Sequence, residues 1–154
     1  MPLRPETAAP LPVVVTRPLQ QAGGFAERVQ QLGRRAVVFP LLAIGPVEDD
    51  SELKSTLARL HDFALVVFVS PNAIDAAFAH LQGWPRDVPI GIVGEGSRVA
   101  LRGHGVDGAN ATIYGPQRAD KMDSEELFKS LPLEQLRGRR APVSYTHLTL
   151  PTKA

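Results

Sequence analysis

The chain has no cysteine among its 154 residues. Disulfides, thiolate catalysis and cysteine-ligated metal centres are therefore excluded, and a reducing compartment is permitted. Neither charge is in excess, since 17 Lys and Arg stand against 16 Asp and Glu. A chain so close to neutral carries no electrostatic footprint for nucleic acid and no polybasic stripe for an anionic membrane. No apolar run approaches the roughly 18 residues needed to cross a bilayer. The opening segment, Met1 to Pro12, holds four prolines where a signal peptide would have its apolar core. It reads as a flexible leader, and the expected protein is cytoplasmic, with neither a membrane nor a nucleic-acid partner. No short-period repeat is present. What the chain does have is 44% hydrophobic residues, enough to build a core in one domain or in pieces of two.

The most informative stretch is Ala64-Leu-Val-Val-Phe-Val-Ser70-Pro71-Asn72-Ala73-Ile74. Its apolar run is too short for a lone helix and suits a buried strand, and it breaks at Ser-Pro-Asn before helical spacing begins. Ser70 is a favourable N-cap and Pro71 suits the first helical position, so a strand feeds a helix here. The helix entrance then presents N–H groups and a positive dipole end at the carboxyl edge of a sheet, where α/β proteins bind anions. An anionic ligand is expected.

The same alternation runs along the rest of the chain. Val13–Val15 opens a strand ending at Thr16-Arg17-Pro18, and Ala22, Phe25, Ala26, Val29 and Leu32 then recur at helical spacing up to Gly33. Ala36–Phe39 reads as a second strand, but Pro40 and Pro46 argue against a central sheet position for the stretch they bracket, which suits a connection between two lobes. Ser51 opens a helix with Leu53, Leu57 and Leu60 on one stripe. After the strand at 64–69, the next helix turns Ile74, Ala77, Phe78 and Leu81 inward. Pro89–Val93 makes a strand, Gly94-Glu-Gly-Ser97 turns into a short helix carrying Val99, Ala100 and Leu101, and Ala111–Tyr114 is a strand again. Asp123 with Glu126 fits a capping box ahead of Leu127, Phe128 and Leu131. Strands alternating with helices of these lengths predict parallel sheets with flanking helices, the α/β class.

Two tempting chemistries fail on spacing. His61, His80 and His104 show no metal-ligand spacing and read as solvated side chains at helix ends. The glycines of Gly91-Ile-Val-Gly94-Glu-Gly96 do not follow the G-x-G-x-x-G order, so no dinucleotide site is expected.

In order and spacing, Val-Val-Thr16-Arg17-Pro18, Phe39-Pro-Leu-Leu-Ala-Ile44, Val67-Phe-Val-Ser-Pro-Asn-Ala-Ile74, Val93-Gly94 with Ser97, and Tyr114-Gly-Pro116 followed by Ser124-Glu125 and Leu127 resemble the N-terminal half of the uroporphyrinogen-III synthase family. The resemblance covers about residues 13 to 140. It implies two α/β lobes joined by a two-stranded connector, the chain leaving the first lobe early and returning to it after building the second. On that template residues 1–12 are the leader, 13–39 begin lobe one, 40–47 cross over and 48–140 make most of lobe two. No return segment is recognised. Residues 141–154 resemble a translated sequencing-adapter tail and are expected to be non-native and no part of the strand–helix pattern. Without them the chain is formally neutral, because Lys153 is the one charged residue they contain.

The resemblance further implies cyclisation of hydroxymethylbilane to uroporphyrinogen III, with loss of water, inversion of the last pyrrole ring, no cofactor and a monomeric enzyme. The substrate bears many carboxylates, and contacts are implied at Thr16, Arg17, Ser70, Asn72, Ala73, Gly94, Ser97 and Ser124. Each has a plainer role beside that one: a helix-entry turn for Thr16 and Arg17, capping for Ser70 and Asn72, and turn or cap duty for Gly94, Ser97, Ser124 and Glu125. The motifs offer no acid to help the hydroxyl leave, so no catalytic residue is assigned, and the chain alone is expected to show little or no activity. The rival reading is a non-catalytic α/β module of receiver or sensor type that binds a small anion. A receiver needs an acidic cluster at its strand ends, and neither Thr16-Arg17-Pro18 nor Ser70-Pro71-Asn72 is one.

Overall fold

The structure, a computed structural model, describes residues 10–45, 48–116 and 123–144, together with the backbone of 148–149. In chain order the elements are β1 (Val13–Val15), α1 (Leu19–Gln31), β2 (Ala36–Val38), β3 (Ala43–Ile44), α2 (Ser51–Leu57), β4 (Val66–Phe68), α3 (Pro71–Phe78), β5 (Ile90–Ile92), α4 (Glu95–Gly103), β6 (Ile113–Tyr114), α5 (Ser124–Ser130), α6 (Leu133–Leu136), β7 (Val143–Ser144) and β8 (Leu148–Thr149). The fold is α/β, with parallel sheets and flanking helices. Among the described residues no helix is long and apolar enough to cross a membrane. The chain divides into two compact units: the described residues up to Gly45 with Leu148–Thr149, and those from Glu48 to Ser144. The first nine residues of the expected leader, Pro46 and Val47 of the expected crossover, and His147 lie outside the described residues.

In the first unit β1 and β2 pair in parallel, and α1 packs Ala22 and Ala26 against Val15 and Ala36 on one face of the sheet. Gly33, at φ 74, ends the helix where the chain must reverse into β2. The other face stays open, with Val14 54% and Phe39 59% exposed. Phe25 and Leu32, expected inside by their helical spacing, are 45% and 82% exposed. Periodicity picks the apolar side of a helix, but a two-stranded sheet is too narrow to cover all of it. The run after Pro40 is no continuation of β2: Ala43–Ile44 forms its own strand, antiparallel to β8.

The second unit is a four-stranded parallel sheet in the order β6-β5-β4-β7. Side chains alternate across it. Val66, Phe68, Ile90 and Ile92 meet Ile74, Ala77, Phe78 and Leu101 of α3 and α4, while Leu65 and Val67 meet Leu127 on the opposite face. All three residues of β4 and of β5 are buried, as expected of strands covered on both faces. On the α5 side Gly91 permits the close approach, since a Cβ there would lie 3.1 Å from Val67 Cγ2 and 3.5 Å from Leu127 Cδ1. Phe128, expected on the buried face of α5, is 60% exposed, and in α4 Val99 is 58% exposed while Leu101 is fully buried. Phe128 and Val99 both sit one position off the stripe that touches the sheet.

Edge strand β7 comes from the C-terminal segment. Val143 and Ser144 pair in parallel with Val67 and Phe68 of β4, and Val67 N–H donates to the Pro142 carbonyl at 2.9 Å. Backbone hydrogen bonds need no particular side chains, so an unpatterned Pro-Val-Ser stretch completes the edge.

Local capping follows residue chemistry closely. Ala73 N–H donates to Ser70 Oγ at 3.2 Å, with Pro71 as the first residue of α3. Ser70→Ala should cost about 1 kcal/mol of stability, measured by urea unfolding. At α5, Glu126 N–H donates to Asp123 Oδ1 at 2.9 Å, but the Glu126 carboxylate turns to Lys129 at 2.8 Å, so only half of the expected capping box forms.

Candidate functional site

The site follows from strand direction. Because β4, β5 and β6 run parallel, the loops leaving their carboxyl ends emerge at one edge, and there α3 and α4 begin. The chain steps outward from β4 through β5 to β6 and then returns to lay β7 on the other side of β4. That reversal is a topological switch point at the carboxyl end of β4, where open α/β sheets bind ligands.

At this edge the mouths of α3 and α4 touch. A Cβ placed on Gly96 would lie 3.3 Å from Pro71 Cγ, so a residue without a side chain lets the two helix entrances abut. Pro71 has no N–H, and the Ala73 N–H is spent on the Ser70 cap. The Asn72 and Gly96 N–H groups have no hydrogen-bond partner among the described residues. Two helix N-termini lie side by side here, each with an uncommitted N–H donor, and the Glu95 carboxylate stands in the first turn of α4.

The expected contact residues fall into three groups. Ser70, Asn72, Ala73, Gly94 and Ser97 belong to these two mouths, with Gly94 as the N-cap of α4 and Ser97 only 3% exposed. Ala73 is itself 3% exposed. Ser124 is exposed at the head of α5, in the company of Asp123, Glu125 and Glu126. Those carboxylates already complement that helix end and oppose a second anion. Thr16 and Arg17 are exposed in the first unit, between β1 and α1, where the Thr16 carbonyl accepts from Leu41 N–H at 3.2 Å.

Titration is perturbed elsewhere. A hydrogen bond from His61 holds Asp87 below the ordinary carboxylate range, and Glu126 with Glu125 raises Lys129. Neither group belongs to the α3 or α4 mouth. The histidines expected to be merely solvated each meet an aspartate: His61 with Asp87 at 2.8 Å, His80 with Asp50 at 3.3 Å and His104 with Asp75 at 2.8 Å. His104 also stacks on Phe78, ring centroids 4.6 Å apart. Among the described residues no group of three His, Asp or Glu is placed to hold a metal ion. A small cavity of about 130 Å³ is lined by Phe63, Asp87, Tyr114, Leu136 and Arg139, none of them an expected contact residue.

Comparison with known proteins gives this edge a context. The family model for uroporphyrinogen-III synthase HemD (HEM4) matches residues 24–147, most of the chain and all of the second unit's sheet. The chain belongs to the uroporphyrinogen-III synthase family. The synthase of Escherichia coli K12 is 31% identical over 133 residues, 84% of this chain and 52% of that protein. That of Salmonella typhimurium LT2 is 30% identical over 131 residues, with the same two coverages of 84% and 52%. A shorter match, 38% over 69 residues, is to the Chlorobaculum parvum synthase, and covers 45% of this chain and 26% of that protein. The chain thus spans about half the length of the E. coli and Salmonella synthases.

Within this family member, sequence reasoning passed over Gly96, whose role depends on Pro71, 25 positions away. The signal that could have found it is its place after a strand and inside the first helical turn, where a glycine costs helix stability unless close approach requires it.

Proposed function

We propose that this chain carries the tetrapyrrole-holding surface of a uroporphyrinogen-III synthase, an enzyme that closes hydroxymethylbilane with loss of water and inversion of the last pyrrole ring. The observation that carries the reading is the pair of abutting helix mouths at the carboxyl edge of the second unit's sheet. A linear tetrapyrrole presents acetate and propionate groups in number, and backbone N–H donors aimed at one edge hold such groups without requiring a lysine or arginine for each. Because the open chain also closes unaided, without inversion, the enzyme's task is to hold one conformer in which the inverted closure is the near one. Asn72, Gly94, Ser97 and the Ser70 turn serve that purpose here, with Thr16 and Arg17 as the candidates of the first unit. On this reading residues 13–39 open lobe one, 40–47 connect and 48–140 form lobe two, while 141–154 are non-native in origin. The enzyme works as a cytoplasmic monomer without nucleic acid.

The test is a fluorescence titration of the chain with uroporphyrin III, the stable octacarboxylate of the product skeleton, at low and moderate salt. Saturable binding that weakens as salt screens the carboxylates is expected. Binding of inorganic phosphate with no preference for the tetrapyrrole would contradict the proposal and favour a small-anion module.

A further inference from the structure

We propose that Arg98 is a specificity-determining residue that forks onto one carboxylate of the ligand at the carboxyl edge of the second unit; this rests on the tetrapyrrole reading above. Among the described residues that follow β4, β5 and β6 at this edge, 69–73, 93–98 and 115–116, Arg98 is the one cation. Ser70, Asn72 and Ser97 are neutral donors that serve a hydroxyl or an amide as readily as a carboxylate. A guanidinium discriminates by charge and by its planar fork.

The side chain is placed rather than loose. It lies in the first turns of α4 with 28% exposure, and its Nε is 3.3 Å from Glu95 Oε2. Its Nη2 sits 3.4 Å from the point a Cβ on Gly115 would occupy. Gly115 follows β6 directly and is buried, so the guanidinium reaches from α4 across the strand ends instead of into bulk water. The approach to Glu95 is at Nε, and the terminal nitrogens donate no hydrogen bond among the described residues. Glu95 Oε1 also lies 3.7 Å from Arg102 Nη1, so the carboxylate is shared between two guanidinium groups.

The experiment compares the full chain with Arg98→Gln, Arg98→Lys and, as a control, Arg137→Gln, whose partner Glu134 lies on α6. Each is titrated with uroporphyrin III, eight carboxylates, and coproporphyrin III, four, at two salt concentrations. Arg98→Gln is expected to weaken uroporphyrin binding about tenfold and to flatten its salt dependence, with a smaller effect on coproporphyrin. Arg98→Lys keeps the charge without the fork and should recover part of the loss, while Arg137→Gln matches the parent. Circular dichroism and a melting curve on each variant show that the fold is retained; should Arg98→Gln unfold, the intermediate affinity of Arg98→Lys carries the test. An unchanged affinity and salt dependence in Arg98→Gln, with the parent binding normally, overturns the role of Arg98 alone. Failure of the parent to bind uroporphyrin overturns the functional reading itself.

Discussion

Phe68→Ala is expected to remove about 3–5 kcal/mol of stability from the second unit. Phe68 is 1% exposed in central strand β4, and its ring stands edge-on to Trp84 at 5.7 Å. Trp84 in turn stacks on Phe78 at 6.0 Å and anchors its indole N–H on the Val88 carbonyl at 2.7 Å. Truncation therefore leaves a cavity bounded by rings that cannot collapse into it without breaking that hydrogen bond. Since a domain of this size has a total stability of about 5–15 kcal/mol, the variant should be partly unfolded at room temperature. Phe128→Ala deletes the same ring from α5, where it is 60% exposed, and should change stability by less than about 1 kcal/mol. Urea unfolding followed by tryptophan fluorescence separates the two. Equal losses would mean that the core is not where the structure puts it.

Asn72→Asp should move stability and binding in opposite directions. A carboxylate in the first turn of α3 complements the helix dipole and is expected to stabilise by about 0.5 kcal/mol. The same charge stands at the proposed ligand edge, where a second carboxylate some 5 Å away at an intermediate dielectric is opposed by about 2 kcal/mol, a roughly thirtyfold loss of uroporphyrin affinity. A melting curve and a titration on one preparation read both. Binding that survives with stability raised would remove Asn72 from the ligand surface and leave it a role in the helix alone.

A third substitution probes how closely the strand ends are packed. Gly115→Ala puts a Cβ 2.8 Å from Ile92 Cγ1 and 3.1 Å from the Ile92 carbonyl oxygen. The backbone atom cannot move aside cheaply, so a loss of about 1–3 kcal/mol is expected in the same urea assay.

Much of the second unit was legible because its signals are local. Ser70-Pro71 announces the start of α3, and the run from Ala64 announces β4, although only Val66–Phe68 of it is regular strand. Both rest on short-range rules of capping and burial. Exposure was harder to read. Phe25, Leu32, Val99 and Phe128 are apolar at helical spacing, yet whether a face is covered depends on the elements that pack there, which spacing does not report. The pairing of β7 with β4 was invisible for a related reason, since Val143 and Ser144 join by backbone hydrogen bonds that carry no residue signature. The His–Asp pairs and the approach of Arg98 to Gly115 required the chain to be folded before their partners met. In the candidate site, the residue types at the helix mouths could be read from the sequence. That Pro71 and Gly96 are neighbours could not.

The claim that the α3 and α4 mouths form the tetrapyrrole surface is tested most directly by amide-resolved NMR of the chain titrated with uroporphyrin III. The largest shifts are predicted to fall on the Asn72, Gly96 and Ser97 amides and to saturate together. Shifts centred instead on the cavity beside Asp87 and Arg139, with Asn72 and Gly96 unmoved, would contradict it.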